Sequence, residues 1–506
     1  MTLSTQESQQ QDSNYFAALD IGSNSFHFVL ARQVHQHLQI LHSEKYKVKL
    51  ATGLDENHKL SNEAIMRGIA TLTSLCSSTS HLNHTNFRVV ATHTLRKAKN
   101  SAEFLSIAKQ VFPFDIEVIS GHEEARLIYA GVNYHCASTA QRLILDIGGG
   151  STECIIGQQE KVHALASLPI GCVSYSKAYF SNKKIGKSQF DQAITAAKLA
   201  IEAIAKRYKN LAWQEAIGTS GTIKAIYQIV NHRQHIKQPV SLKQLRVIQN
   251  QLIACKNVAS INIPGLKPGR NAVISAGVAI LIALMEALEI KEIDYCKYAL
   301  REGVLFEQLQ NVSHNDTRQR TVNSLTSRFN IDIAQLTLVK SYAENLFSQV
   351  NGAWRFTKAI YQELLITAVH LHEIGVDINS SNYHKHGEYI LSQADLAGFN
   401  QEQQQALAWL VGNQRKKITA CSTHQWHLLK PELLLKLLAI LRLSILLSQQ
   451  RISNAEKLPI VTISKNEMAL RFDMIWLAQR PLIDNALVNE QQQLAQHDIN
   501  MSKTYT

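Results

Sequence analysis

The chain has 506 residues, which is too long for a single hydrophobic core and indicates roughly three to four domains. Its composition, 45% hydrophobic and 18% charged, is that of a globular protein and excludes a disordered or fibrous chain. The 52 Lys and Arg residues outnumber the 40 Asp and Glu residues, so the net charge of +12 favours a polyanionic partner: nucleic acid, an anionic membrane or polyphosphate.

The seven cysteines are scattered and never occur as a C-x-x-C pair, which predicts reduced thiols in a cytoplasmic protein rather than a disulfide framework or a zinc ribbon. Residues 1–13 are polar, lack the apolar core of a signal peptide and are predicted to be a flexible tail. The most apolar run, Leu433 to Leu447, contains Lys436 and Arg442. It is therefore predicted to be a buried helix and not a membrane span.

Residues 14–137 are predicted to form one α/β domain. The segment from Phe16 to Leu30 reads as strand, turn and strand, and the strand pattern continues to Leu50. A helix capped by Ser61 follows, and then two further strands ("FRVVAT" and "IEVIS") with a helix between them. Hairpins mixed with helices over such a length are typical of an α/β domain.

The pattern restarts at Arg142, with a strand, a glycine turn and two more strands, followed by a long helix and the turn "GTSGT". This echo of the first half predicts a duplicated domain over 138–310, with a cleft between the two copies. From 311 to 449 helical periodicity dominates and predicts a separate helical domain. Strand-like alternation returns in 450–506, which predicts a small C-terminal α/β or β-hairpin module.

Three turns of small residues indicate phosphate binding. The stretches are "LDIGSNS", "LDIGGGSTE" and "GTSGT", and a strand-like run precedes each turn. Glycines leave backbone N–H groups open to an anion, and a helix that begins behind such a turn adds its N-terminus. One such turn is equally consistent with an ordinary tight turn, but three at domain-scale spacing are more specific. The predicted phosphate-binding residues of these turns are Gly22, Ser23, Asn24, Ser25, Gly148, Gly149, Gly150, Ser151, Ser220 and Gly221.

Carboxylates at or just beyond the turns are candidate metal ligands. Asp20, Asp146 and Glu153 could hold Mg²⁺ directly or through water, because this ion prefers oxygen ligands. Glu123 and Glu124 open a helix after a strand. Acids often cap helix N-termini in this way, but a position between the two copies also suits a carboxylate that activates water.

Basic residues are expected along the rest of the cleft. Lys45, Lys47 and Lys49 alternate with other residues, so a strand would place all three on one face, either as a substrate track or as an ordinary solvated surface. Arg96 follows a strand end and is predicted to clamp phosphate bidentately.

The helical segment includes a group of histidines with one glutamate. The group suggests a metal site, but the spacing gives no complete ligand set, so the structural interpretation is favoured. Its members are His370, His372, Glu373, His384 and His386.

Together, "ALDIGSNSFH", "ATHTLR", "ISGHEEARLIYAGV", "LDIGGGSTE", "GTSGTIKAI" and "ALREGVL" resemble the exopolyphosphatase and guanosine pentaphosphate phosphohydrolase family. With "LHEIGVDIN" and "HKHGEYIL" the resemblance covers nearly the whole chain and is greatest to the bacterial exopolyphosphatase branch. It implies a duplicated actin-like, sugar-kinase-like fold with a polyphosphate cleft, followed by a helical domain related to HD phosphohydrolases.

The resemblance also implies residue roles. Glu124 corresponds to the catalytic glutamate that orients and deprotonates water, Asp146 and Glu153 to metal-associated acids, and Arg96 to a phosphate clamp. It further implies Mg²⁺ dependence, stimulation by potassium and a homodimer. The chain departs from the family pattern at two places. The segment "PGLKPGRNA" has Asn271 and Ala272 where an acid is common in the family, so no metal or substrate role is assigned to this segment. In the helical domain, Glu373 replaces the aspartate of a metal-binding HD motif.

The expected function is therefore Mg²⁺-dependent, processive release of orthophosphate from inorganic polyphosphate, with Glu124 as the base and no nucleic-acid partner. The first alternative is hydrolysis of guanosine pentaphosphate at its 5′ end. The others are a non-catalytic polyphosphate or nucleotide sensor and, on fold grounds alone, a sugar kinase. The expected location is the cytoplasm, and peripheral contact with an anionic membrane is left open.

Overall fold

The structure is a computed structural model that describes residues 15–34, 37–79, 82, 86–136, 138–181, 184–233, 238–309, 314–394, 396, 398–419, 421, 426, 428–451, 459–464 and 467–505. The predicted tail, 1–13, and the predicted boundary between 310 and 311 lie outside these residues. The chain divides into two compact units, an N-terminal unit, Met1–His314, and a C-terminal unit, Asn315–Thr506.

Lobe I of the N-terminal unit is built on a five-stranded sheet. Its strands are β1 (Tyr15–Ile21), β2 (Phe26–Val34), β3 (His37–Tyr46), β4 (Phe87–Ala91) and β5 (Ile116–Val118). They lie in the order β3-β2-β1-β4-β5; β1, β2 and β3 form an antiparallel meander, while β4 and β5 continue parallel to β1. The helices of lobe I are α1 (Asn62–Ser78), α2 (His93–Lys97) and α3 (Ser101–Val111), while α4 (Gly121–His135), which follows β5, packs against the second sheet of the unit. As predicted, Ser61 caps α1 by accepting a hydrogen bond from the backbone N–H of Ala64.

Lobe II repeats this arrangement. Its strands are β6 (Arg142–Ile147), β7 (Thr152–Gln158), β8 (Lys161–Leu168), β9 (Glu215–Thr219), β10 (Val240–Ser241) and β11 (Glu292–Tyr295). Read from β8, the order β8-β7-β6-β9-β11 matches that of lobe I, and β10 is added at the edge. The strands pair in the same senses, with an antiparallel meander followed by parallel strands. The predicted duplication and α/β fold are therefore confirmed by the topology.

The helices that follow complete the N-terminal unit. They are α5 (Cys172–Tyr179), α6 (Lys187–Asn210), α7 (Ser220–Val230), α8 (Leu242–Ala254), α9 (Asn271–Ala287) and α10 (Leu300–Leu309). Among the described residues, only Pro268–Ala287 is long and apolar enough to cross a membrane. Every residue of α9 from Ile274 to Met285 is buried, and α9 belongs to the core of lobe II. The core of a soluble domain accounts for its composition equally well.

The C-terminal unit combines helices with a small sheet. Its elements are α11 (His314–Arg328), α12 (Ile333–Trp354), α13 (Ile360–Leu371), α14 (Tyr383–Gln393), α15 (Gln401–Gly412), α16 (Pro431–Leu447), β12 (Ile460–Ser464), β13 (Glu467–Phe472), α17 (Met474–Ala478), α18 (Pro481–Ala495) and β14 (Asn500–Tyr505). The predicted hairpin is present as the antiparallel pair β12 and β13, while β14, which pairs parallel to β13, was not predicted. Helices and strands share one hydrophobic core, so in the described part of the chain no separate core marks the predicted boundary between 449 and 450.

Helix α16 contains the apolar run that the sequence predicted to be buried, and the structure confirms this. Its buried Arg442 donates hydrogen bonds of 2.5 and 2.8 Å to Glu490 and one of 2.6 Å to the carbonyl of Asn413. The Lys436 ammonium lies 5.8 Å from the centre of the Trp354 ring. Partners of this kind allow charged side chains to interrupt a buried helix.

Candidate active site

A cavity of about 550 Å³ lies in the N-terminal unit where the strand ends of the two lobes face each other. Asp20 and Asp146, which both line it, are the penultimate residues of β1 and β6. These are equivalent positions in the two sheets, so the duplication brings two carboxylates to one cleft. The cavity is the place where both turns after these strands meet.

All but two of the predicted site residues line this cavity. Those that do are Asp20, Gly22, Ser23, Asn24, Ser25, Glu124, Asp146, Gly148, Gly149, Gly150, Ser151, Ser220 and Gly221. The two that do not are Arg96 and Glu153. The cavity therefore gathers residues that are up to about two hundred positions apart in the chain.

Small residues allow the first two turns to approach each other, since a Cβ atom on Gly149 would lie only 2.9 Å from the Cβ of Ser23. A Cβ atom on Gly150 would collide with the His93 imidazole, so this position accepts no side chain without a shift of the histidine. Ser23 accepts a hydrogen bond of 2.8 Å from the Thr94 hydroxyl, which ties the β1–β2 turn to α2. Backbone from both lobes is thereby exposed to the cavity.

The third turn, between β9 and α7, is conformationally unusual. Ser220 has φ = 77°, in the left-handed region that a residue with a side chain seldom adopts. Its hydroxyl donates a hydrogen bond of 2.9 Å to the carbonyl of Ile147 at the end of β6. A Cβ atom on Gly221 would collide with the Arg270 guanidinium. The strained turn thus places the N-terminus of α7 beside a cation at the cavity wall.

Glu124 lies in the first turn of α4, which Ser120 caps by accepting a 3.1 Å hydrogen bond from the backbone N–H of Glu123. The Arg96 guanidinium donates two hydrogen bonds, of 3.2 and 3.1 Å, to Oε2 of Glu124. It also donates one of 2.7 Å to the carbonyl of Ile119. The structure therefore places Arg96 behind the candidate base, not on the cavity wall where a phosphate clamp was expected.

Glu153 lies one step behind the cavity. It is the cross-strand neighbour of Asp146 in the β6–β7 pair and is 1% exposed. Its Oε1 accepts a hydrogen bond of 2.8 Å from the Ser167 hydroxyl on β8. Glu153 can thus act on the carboxylates that line the cavity through its charge, without touching a ligand itself.

The four acids perturb one another. Burial, together with the charge of Glu124, raises the pKa of Asp20 to about 7. Burial and the charges of Glu124 and Asp20 raise the pKa of Asp146 to about 8. Burial also raises the pKa of Glu124, opposed by Arg96, and that of Glu153. Without a bound cation, a cluster of buried acids of this kind retains protons at neutral pH.

The acids of the cavity are suited to bind a hydrated Mg²⁺ ion together with the phosphates of a substrate. Oδ1 of Asp20 is buried without a hydrogen-bond partner, and all the donors are carboxylate oxygens. Across the described residues no three His, Cys, Asp or Glu side chains are placed to hold a metal ion alone. Mg²⁺ typically binds through one or two carboxylates, water and substrate phosphate, and the pair Asp20 and Asp146 fits that mode.

Seven basic side chains line the cavity, against three acidic ones. The seven are Lys45, Lys47, Lys224, Lys267, Arg270, Lys297 and Arg301. Desolvation and the nearby cations Arg270 and Arg301 lower the pKa of Lys45 to about 8. Uncompensated positive charge of this density is suited to a phosphate chain.

The sequence anticipated only part of this basic wall. Lys45 and Lys47 line the cavity, but β3 ends at Tyr46, and Lys49 lies in a left-handed turn outside the lining. The expectation that one strand face would carry all three lysines is therefore wrong. The strand ends before the second of the three lysines.

The remaining basic residues were missed. Lys267 and Arg270 belong to the segment to which no substrate role was assigned, yet both line the cavity. Lys224 follows Ser220 by one helical turn on α7, so helical periodicity could have identified it. His27 and His93 also line the cavity; burial lowers the pKa of His93 to about 4, so its ring is neutral near pH 7.

Three members of the histidine group of the C-terminal unit have internal partners, whereas the buried Nδ1 of His384 has none among the described residues. His370 and His372 each place Nδ1 2.7 Å from a helix carbonyl, that of Ile366 and that of Val369. Glu373 accepts a 2.7 Å hydrogen bond from Arg451. These contacts agree with the structural interpretation of the group.

The duplicated α/β lobes and the cavity with its acids and excess of cations define a two-lobed protein whose cleft is suited to phosphate groups. The chain belongs to the Ppx/GppA phosphatase family, whose model matches residues 29–312, and the model of Ppx/GppA phosphatase domain III matches residues 317–491.

The relatives of this chain extend over nearly its full length. Guanosine-5′-triphosphate,3′-diphosphate pyrophosphatase of Pseudoalteromonas atlantica is 37% identical over 97% of this chain and 98% of its own. The protein of that name from Pseudoalteromonas translucida is 37% identical over 95% of this chain and 97% of its own. A crystal structure of an exopolyphosphatase from Cytophaga hutchinsonii matches with a TM-score of 0.54 and 25% identity, covering 59% of this chain and 99% of that one.

Proposed function

We propose that the protein hydrolyses the terminal phosphoanhydride bond of a phosphate chain, with guanosine 5′-triphosphate 3′-diphosphate as its main substrate. The observation that supports the chemistry is the cavity, where Glu124 lies among seven cations and two strand-end aspartates. The choice of the nucleotide is supported by the names of two relatives that are 37% identical over nearly the whole chain.

Inorganic polyphosphate, which the sequence analysis placed first, becomes the second candidate. The seven basic residues would suit a phosphate chain without a nucleoside equally well. The Cytophaga hutchinsonii exopolyphosphatase also shares the fold of 59% of this chain. Both substrates end in the same phosphoanhydride, so the same residues would act on each.

In this proposal Glu124 takes a proton from the attacking water. The raised pKa of its carboxyl group brings it nearer to neutral pH, where a general base is most effective. Two hydrogen bonds from Arg96 orient the carboxylate and favour its ionised form, which opposes the rise in its pKa. Arg96 is thus a positioning residue for the base.

The cationic wall and the three turns would hold the phosphates. Phosphoryl transfer depends mainly on positioning and on charge stabilisation, and both lobes supply cations and backbone at the cavity. Arg270, held against Gly221 at the start of α7, is placed to bind phosphate bidentately. The neutral His93 ring would add a hydrogen-bond donor or acceptor without charge.

We further propose that Asp20 and Asp146 hold Mg²⁺, with Glu153 supporting them from behind. When bound, the ion would neutralise charge on the reacting phosphates and lower the pKa of both aspartates. Stimulation by potassium, a homodimer and a cytoplasmic location are proposed from the family resemblance alone.

The test is orthophosphate release from each substrate separately, and from both in competition, with Mg²⁺ and after its removal by a chelator. A higher kcat/KM for guanosine 5′-triphosphate 3′-diphosphate supports the proposal. Preference for long-chain polyphosphate would instead make the protein an exopolyphosphatase. Binding of either compound without any release would favour a sensor.

A further inference from the structure

Two cysteines that are remote in sequence meet in the N-terminal unit. The sulfur atoms of Cys136 and Cys296 lie 3.1 Å apart, although 160 residues separate them. All seven cysteines of the chain are free thiols, and neither of these two lines the cavity. The phosphatase chemistry proposed above uses neither sulfur.

Both thiols are held by their surroundings. Cys136 ends α4, where its backbone N–H donates a 2.8 Å hydrogen bond to the carbonyl of Val132. Cys296 follows β11, and its N–H donates a 2.9 Å hydrogen bond to the carbonyl of Gly218 on β9. The adjacent rings of His135 and Tyr298 stack with their centres 3.5 Å apart and their planes at 11°. Two neighbouring contacts therefore join the same two segments.

We propose that Cys136 and Cys296 form an oxidation-sensitive site, which a peroxide converts to a disulfide that joins the end of α4 to the segment after β11. The Cys136 thiolate attacks one oxygen of hydrogen peroxide, giving a sulfenic acid and hydroxide. The Cys296 sulfur then attacks the sulfenic sulfur, a disulfide forms, and its proton and the sulfenic hydroxyl leave as water. In total, two thiols are oxidised by two electrons and one peroxide is reduced to two waters.

The arrangement assigns different roles to the two sulfurs. The hydrogen bond from Cys296 lowers the pKa of Cys136 to about 7, and the charge of Arg142 lowers it further. The same contact and burial raise the pKa of Cys296. Cys136 is also the more exposed of the pair, so peroxide can reach the sulfur that is more often a thiolate.

The geometry requires little movement. A disulfide brings two sulfurs to about 2 Å, so the present separation must close by roughly 1 Å. Side-chain rotation at the partly exposed end of α4 can supply a change of this size. Cys154 and Cys172, which are buried, lack the exposure that Cys136 has.

The bond would form close to the candidate active site. Tyr295 and Lys297, on either side of Cys296, line the cavity, and the opposite end of α4 carries Glu124. A disulfide would therefore fix the end of the helix that carries Glu124 against the segment that carries Tyr295 and Lys297. Resting on the proposed function, we expect oxidation to reduce kcat several-fold, because the bond restrains α4 and the segment after β11, whose cavity-lining residues must adjust to the substrate.

Peptide mapping of the full-length protein tests the site. Reduced protein is treated with equimolar hydrogen peroxide, its remaining thiols are alkylated, and it is digested without reductant. We expect one cross-linked peptide that joins Cys136 to Cys296 and is lost in Cys136→Ser and Cys296→Ala. It should persist in Cys255→Ser, which changes another partly exposed thiol of the same unit. Either an uncross-linked sulfinic acid at Cys136 or no change at both thiols would overturn the proposal.

Activity is measured on the same samples. Loss of turnover that dithiothreitol restores in the wild type, and that Cys136→Ser lacks, would support the effect on the cleft. Unchanged turnover in fully cross-linked protein would overturn that effect. If the reduced protein hydrolyses neither substrate, the proposed function fails while the peptide map still decides the disulfide. Circular dichroism confirms that each variant is folded.

Discussion

Replacement of Glu124 by glutamine tests the centre of the proposed mechanism. The change removes the charge and the basicity of one carboxylate but keeps its shape. In the wild type, Arg96 donates hydrogen bonds of 3.2 and 3.1 Å to Oε2 of Glu124, and the amide oxygen of glutamine can still accept them. We therefore expect Glu124→Gln to fold normally and to lose turnover.

The substitution changes both the turnover and the free energy of unfolding. Loss of a general base typically lowers the rate about 10²–10⁴-fold, so kcat should fall within that range. For stability, a charged hydrogen bond to Arg96 becomes a neutral one, which costs about 1–2 kcal/mol. Repulsion of Asp20 and Asp146 by Glu124 disappears at the same time, which offsets this cost. The free energy of unfolding should change by less than about 2 kcal/mol.

The assay combines initial rates of orthophosphate release, substrate affinity from calorimetry and thermal unfolding. Glu123→Gln is the matched control, because the Glu123 carboxylate is buried against Arg126 with hydrogen bonds of 2.8 and 2.7 Å and does not line the cavity. The control should lose stability and retain most of its turnover. A folded Glu124→Gln variant with near wild-type kcat would refute the assignment of Glu124 as the base.

Three further predictions concern the cavity. Asp146→Asn should raise the melting temperature near pH 8 without divalent cations, but not below pH 4. The pKa of Asp146 is raised from 3.8 to about 8 in the folded protein, so the folded carboxyl keeps a proton that the unfolded one has lost. The stability of the wild type therefore falls as pH rises through this window. Equal melting temperatures of the two proteins from pH 4 to 8 would contradict this. Gly150→Ala should lower kcat/KM because the added Cβ displaces His93. The control is Gly352→Ala, where nothing lies within 4 Å of the added carbon. This variant should leave the kinetics unchanged and stabilise its helix by about 0.5–1 kcal/mol. Arg270→Gln should raise KM and weaken its dependence on salt, measured from 50 to about 200 mM NaCl; a salt dependence equal to that of the wild type would place Arg270 outside the phosphate site.

Much of the local structure followed from the sequence. Alternation and turn residues predicted the hairpins of both lobes, and the repeated pattern around Asp20 and Asp146 predicted the duplication that the two sheets confirm. These features depend on residues close together in the chain, whose spacing matches the period of a strand or helix. Strand β14 escaped prediction because its pairing with β13 depends on a distant segment.

The site was predictable where it coincides with a turn and not where it depends on distant neighbours. The glycine turns and Glu124 stand at strand or helix ends, which sequence patterns mark directly. The direction of Arg96 toward Glu124 is set by the packing of α2 beside the start of α4, so sequence alone assigned it to phosphate. Arg270 reaches the cavity only because α9 is packed in the core of lobe II.

The sequence by itself determined the family, the α/β class, the repeated strand-turn units and most residues of the phosphate turns. Tertiary structure alone decided which charges share the cavity, which carboxylates perturb each other's pKa, and that Cys136 and Cys296 are neighbours. Hydrogen bonds of turns and helix caps, and the periodicity of strands and helices, involve residues close together in the chain and therefore leave local sequence patterns. Electrostatic and sulfur contacts depend instead on distance in space, and the folded chain sets that distance independently of separation in sequence.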